Sequence, residues 1–132
     1  MQIAVAYAVA LIAFIGLDMV WLGTMVDRLY RPVIGDMMAA SVNFPAAILF
    51  YLLAPAGLVY FAVAPALRTS SLASALTAGA AYGFFTYLTY DLTNQATLKN
   101  WSTALSAADI AWGVVLGAMS SAIAYAVASR IG

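Results

Sequence analysis

The 132-residue chain is 66% hydrophobic and carries ten charged side chains, 8% of its residues, with no net charge. A water-facing surface draws about a quarter of its residues from Asp, Glu, Lys and Arg, so this composition points to lipid as the main solvent. The absence of His and Cys excludes disulfides, thiolate nucleophiles, ordinary zinc sites and haem held by His or Cys, and no cofactor is expected. There is no basic tract, so nucleic acid has no footprint to occupy.

Four stretches reach the roughly 20 apolar residues that a spanning helix needs. They are Ile3–Val26, Phe44–Ala64, Leu72–Leu92 and Ala107–Ala128. The first lacks a basic leader and is too long in its apolar part for a cleaved signal. After it, Asp27–Asn43 places Tyr30, Val33, Ile34, Met37 and Met38 at three- and four-residue spacing, with Arg31 and Asp36 on the other face and Pro32 near its start. That pattern predicts a short amphipathic helix in the membrane interface, acting as an anchor or as a lid. Asn43 is placed to cap the second span, Pro45 falls in its first turn, and Pro55 is expected to kink it. Ser71 is the expected cap of the third span and Ser106 of the fourth. The expected architecture is a single domain over residues 1–132, an all-α integral membrane protein. It is an up-down four-helix transmembrane bundle with the interfacial helix between helices one and two.

Antiparallel order puts Asp27–Asn43 and Thr93–Ser106 at one end, side B, and both termini at the other, side A. Arg28, Arg31 and Lys99 on side B nearly balance Arg68, Arg130 and the terminal amine on side A, so the positive-inside rule leaves the orientation open. The acids are not balanced. An Asp at a helix centre costs about 2.5–3.5 kcal/mol on insertion scales, and Asp18, Asp91 and Asp109 all fall toward side B.

Helical spacing sharpens this convergence. Ala75, Gly79, Gly83, Tyr87 and Asp91 recur at four-residue intervals, as do Asp109, Gly113, Gly117, Ser121 and Tyr125. Each stripe holds a G-x-x-x-G that lets backbones approach closely, and run antiparallel the two bring Asp91 toward Asp109. Two carboxylates that close resist double ionisation and share a proton. Asp18–Trp21 and Asp109–Trp112 are i, i+3 pairs, so each acid shares a face with an indole that can wall a pocket. Tyr90 and Asn94 flank Asp91 in the run Tyr-Asp-Leu-Thr-Asn. The candidate ligand- or proton-binding residues are therefore Asp18, Trp21, Tyr90, Asp91, Asn94, Asp109 and Trp112, with Gly79, Gly83, Gly113 and Gly117 as packing residues. Plainer readings stand beside these. Trp101, Tyr7, Tyr60 and Tyr125 suit aromatic belts; Ser106 and Asp109 fit a capping box; Asp91 can close its helix with Asn94. Asp18 is the hardest to read as purely structural, since it is deep, with no cap to make and no basic residue within two turns.

The motifs Leu17-Asp18-Met19-Val20-Trp21-Leu22-Gly23, Tyr90 to Leu98, and Asp109-Ile110-Ala111-Trp112-Gly113 together resemble the small bacterial four-span membrane proteins grouped as domain of unknown function 2177. The resemblance covers essentially the whole chain and implies the four-helix fold and a multi-pass place in the bacterial inner membrane, with no activity attached. Three classes of function follow from the residues. The first is binding of a proton, cation, lipid or small ligand at the Asp cluster, with transport as its extension, although only Thr77 and Ser121 continue a polar path toward side A. The second is an accessory or assembly subunit of a larger membrane complex, or a homo-oligomer, since Gly/Ala-rich faces pack on partner helices as well as on each other. The third is a lipid-modifying enzyme using an Asp dyad for acid–base work. Membrane lipids are the one partner common to all three.

Overall fold

A computed structural model describes the whole chain, Met1–Gly132, and it is entirely helical. Helix α1 spans Gln2–Met25; a π turn at Val26–Tyr30, the short α2 at Arg31–Ile34 and a 3-10 turn at Gly35–Met37 follow it without a break. Helix α3 spans Phe44–Leu58 and continues through a second π turn, Val59–Val63, into α4, Ala64–Thr69. Helices α5, Leu72–Thr97, and α6, Thr103–Ala128, complete the chain.

Three helical stretches are long and apolar enough to cross a membrane: Gln2–Met37, Phe44–Thr69 and Thr103–Ala128. The expectation of four such spans is corrected at α5, which has the length but not the hydropathy. Thr77, Thr86, Thr89, Thr93, Thr97, Asn94 and Gln95 dilute its apolar content. The separate interfacial helix is also not formed. Its residues continue α1, and the π turn, closed by Arg31 N–H on the Val26 carbonyl, inserts one extra residue into the helical repeat. Pro32 falls in the first turn of α2, directly after the π turn.

The caps follow local chemistry. Asn43 accepts from Ala46 N–H at 3.3 Å and Ser71 from Ser74 N–H at 3.0 Å, as their sequence context implies. Ser106 is not a cap. Helix α6 starts one turn earlier, with Ser102 accepting from Leu105 N–H at 3.0 Å, so Ser106 is an interior residue and its capping box with Asp109 does not exist. Ser102→Ala should therefore cost about 1 kcal/mol in thermal unfolding of the purified protein. Likewise α5 does not close at Asp91, because it runs on to Thr97.

Packing is graded along the helices. At side A, Ala6, Ala10, Val59, Val63, Ala124 and Ala128 form a tight core of small side chains. Helices α5 and α6 make the most extensive interface, zipped by their glycines. Gly79 lies on Gly117 and Ser121, Gly83 lies on the Gly113 carbonyl, and the Tyr87 ring fills the space over Gly113. Helix α1 packs on α6 and on α3, whereas α5 meets the second rod mainly at its π turn. Pro55 cannot donate a hydrogen bond, and beside it the Leu52 and Ala54 carbonyls accept from the Tyr7 and Tyr82 hydroxyls at 2.8 and 2.9 Å. The side-B half of α3 thus leans on α1 and leaves a gap toward α5.

Candidate functional site

That gap is a cavity of about 390 Å³. Five elements line it: Phe14, Asp18 and Leu22 from α1, Tyr30 from the π turn, Phe50 and Ala54 from α3, residues of α5 between Tyr82 and Tyr90, and Asp109, Gly113 and Gly117 from α6. The volume lies at the lower end of small-molecule sites, which run from about 300 to 1,000 Å³. Phe50, Thr86 and Tyr90 stand exposed at its rim, between α3 and α5.

Two of its walls are carboxylates held by neutral donors. Asp18 is 5% exposed and accepts from the Tyr51 hydroxyl at 2.5 Å and the Trp112 indole N–H at 3.0 Å. Asp109, 4% exposed, accepts from the Tyr30 hydroxyl, which in turn accepts from Trp21 N–H at 2.8 Å. The two indoles stack, with ring centroids 4.8 Å apart and planes 3° from parallel. One relay therefore joins the acids of α1 and α6: Tyr51 to Asp18, Asp18 to Trp112, Trp112 against Trp21, Trp21 to Tyr30, and Tyr30 to Asp109. No cation enters it. The chain's single ion pair, Arg31–Asp27 at 2.7 Å, is exposed and elsewhere.

Asp91 is fully buried, and neither of its carboxyl oxygens has a hydrogen-bond donor. Asp109 is its acidic neighbour across the α5–α6 interface. Below it, Trp101 N–H donates to Ser106 Oγ at 2.9 Å, and Ser106 Oγ lies 3.4 Å from the Asp91 carbonyl, tying the α5–α6 connection to both helices.

The remaining sequence-selected residues divide. Tyr90 lines the cavity and meets the Trp101 ring edge-on at 5.8 Å. Asn94 makes no side-chain hydrogen bond and lies outside the cavity; its carbonyl accepts from Leu98 N–H. Trp21 and Trp112 do not line the cavity; they stack on each other, with the Trp112 N–H on Asp18 and the Trp21 N–H on the Tyr30 hydroxyl. Arg28, Arg31 and Lys99, the cations of side B, form no ion pair with Asp91.

Sequence reasoning missed the phenols. Spacing places Tyr30 on an interfacial face and Tyr87 on the glycine stripe, and nothing in it marks Tyr51 or Tyr82. A signal existed for Tyr51: it sits mid-helix in α3, where an aromatic belt does not account for a hydroxyl. Tyr30→Phe should strand both the Trp21 N–H and one Asp109 oxygen, lowering stability by about 1–3 kcal/mol in denaturant titration of the detergent-solubilised protein.

Residues 3–126 match the family model described as predicted membrane protein (DUF2177), and the chain belongs to that family. No curated protein and no solved structure matches the chain.

Proposed function

We propose that this member of a predicted membrane protein family binds a small amphipathic ligand, taken up from the bilayer into the cavity between α3 and α5. The single observation that carries this reading is the cavity itself: two carboxylates, phenols and aromatic rings line it, and its lining residues Phe50 on α3 and Thr86 and Tyr90 on α5 are exposed. Binding without covalent chemistry suits a site whose carboxylates already accept from neighbouring phenol and indole donors.

The reading includes a four-helix transmembrane bundle, with α5 crossing the membrane despite its polar composition. Its hydroxyls support this. Thr77, Thr86, Thr89 and Thr97 bond the carbonyl four residues back at 2.7–2.9 Å, and Thr93 does the same. A hydroxyl satisfied within its own helix costs little in lipid. The one charged side chain of α5, Asp91, is buried against α6. The bacterial inner membrane is the proposed location.

The test uses the protein in phosphatidylcholine vesicles and a dodecyl alcohol carrying a bromine close to its head, which quenches tryptophan on contact. Saturable quenching is expected in the native protein, and its loss in Thr86→Phe, which fills the cavity mouth from an exposed position. Equal, non-saturating quenching in both proteins overturns the reading. In that case a partner subunit's basic side chain becomes the better answer to the acids, and gentle native extraction should recover that larger complex.

A further inference from the structure

Resting on the cavity reading, we propose that the ligand's head group is an organic ammonium, seated between Asp18 and Asp109. Both carboxylates line the cavity, and no Arg or Lys pairs with either. Their protein partners are phenol and indole groups, which spread the negative charge without neutralising it. Buried charges are ordinarily paired or neutralised, yet Asp18 and Asp109, 5% and 4% exposed, are answered by no cation of this chain.

The walls decide what kind of cation fits. Phe14, Phe50, Tyr82, Tyr87 and Tyr90 present aromatic rings to the cavity, and the face of such a ring attracts an ammonium within about 6 Å of its centre. The Tyr87 side chain, packed on Gly113, also lines the cavity, and its hydroxyl is a group that can accept from an N–H. A bare metal ion is poorly served. No group of three acidic, His or Cys side chains is placed to hold one, and the acids are already engaged by Tyr and Trp donors. An anionic head meets two like charges. An alcohol finds acceptors but leaves the charge unanswered. The exposed rim between α3 and α5 admits an alkyl chain attached to the head, which a small water-soluble amine would not need.

The experiment repeats the bromine quenching with three dodecyl probes, brominated close to the head, that differ only in the head: ammonium, alcohol and carboxylate. Vesicles are zwitterionic, so surface charge does not concentrate the cation, and quenching in Thr86→Phe is subtracted as partition into lipid. The ammonium should half-saturate at a concentration at least about tenfold below the alcohol, the ratio expected for one charge-assisted hydrogen bond, and the carboxylate should not saturate. Asp18→Asn and Asp109→Asn, each checked for native thermal unfolding, should bring ammonium and alcohol to within about threefold. Saturable binding of alcohol and ammonium with equal affinity overturns the ammonium assignment and leaves the amphiphile site standing. An ammonium preference that persists in both Asn variants overturns the role of the two acids. Absence of saturable binding by all three probes overturns both readings together.

Discussion

Gly83→Ala should unfold or severely loosen the protein, although it adds a single methyl group. Its Cβ would fall on the Gly113 carbonyl, and a backbone atom of a packed helix cannot swing aside as a side-chain end can. Helix propensity works the other way, since Ala is better than Gly by about 1 kcal/mol in a helix interior. Overpacking wins, because relieving the overlap means separating α5 from α6 along their largest interface. The net loss should be about 3 kcal/mol or more, read as a collapse of thermal stability in detergent and of cooperative unfolding. Gly16→Ala and Gly23→Ala are the controls. A Cβ at either position meets nothing within 4 Å, so these substitutions should be neutral or stabilising by up to about 1 kcal/mol. A Gly83→Ala protein as stable as these controls would show that the α5–α6 seam is looser than described.

The second large effect is a separation of stability from binding at Asp18. Asp18→Leu alone strands the Tyr51 hydroxyl and the Trp112 N–H, at about 1–3 kcal/mol for each buried donor left without a partner. It also removes a charge that costs about 3 kcal/mol to place at a helix centre. The terms oppose each other, so the single variant should be modestly destabilised. Adding Tyr51→Phe and Trp112→Phe removes the stranded donors and keeps the relief. The triple variant should then equal or exceed the native protein in stability, with a non-additivity of about 2 kcal/mol over the separate changes. Binding should respond in the opposite sense: the single and triple variants both lack the carboxylate, and both should lose the preference for the dodecylammonium over the dodecyl alcohol probe. If the triple variant is instead much less stable than the native protein, Asp18 serves to hold α1 against α3 and α6 rather than to bind.

The two effects show unequally in the residues themselves. The glycine seam is visible in the four-residue recurrence of small side chains, because a helix repeats near that period and two such stripes have few other ways to pack. The acid convergence is visible too, since the alternation of helices leaves Asp18, Asp91 and Asp109 no other end to occupy. Ser102 and Ser106 show where local reading stops. Both are serines near the start of α6, and only the Trp101 indole, which takes Ser106 as its acceptor, decides that Ser102 begins the helix.

By itself the sequence determined the solvent, the all-helical class, the small-residue seam and the end at which acids gather, because each depends on composition or on spacing within one helix. The tertiary structure alone decided what the acids touch. Tyr51 reaches Asp18 across 33 residues and Tyr30 reaches Asp109 across 79, through contacts set by helix rotation and, for Tyr30, by the extra residue of a π turn. Rotation and tilt carry no local sequence signature; they come from packing all the helices at once. In the same way the lean of α3 away from α5, which opens the cavity, depends on small side chains closing side A while large rings stand apart at side B.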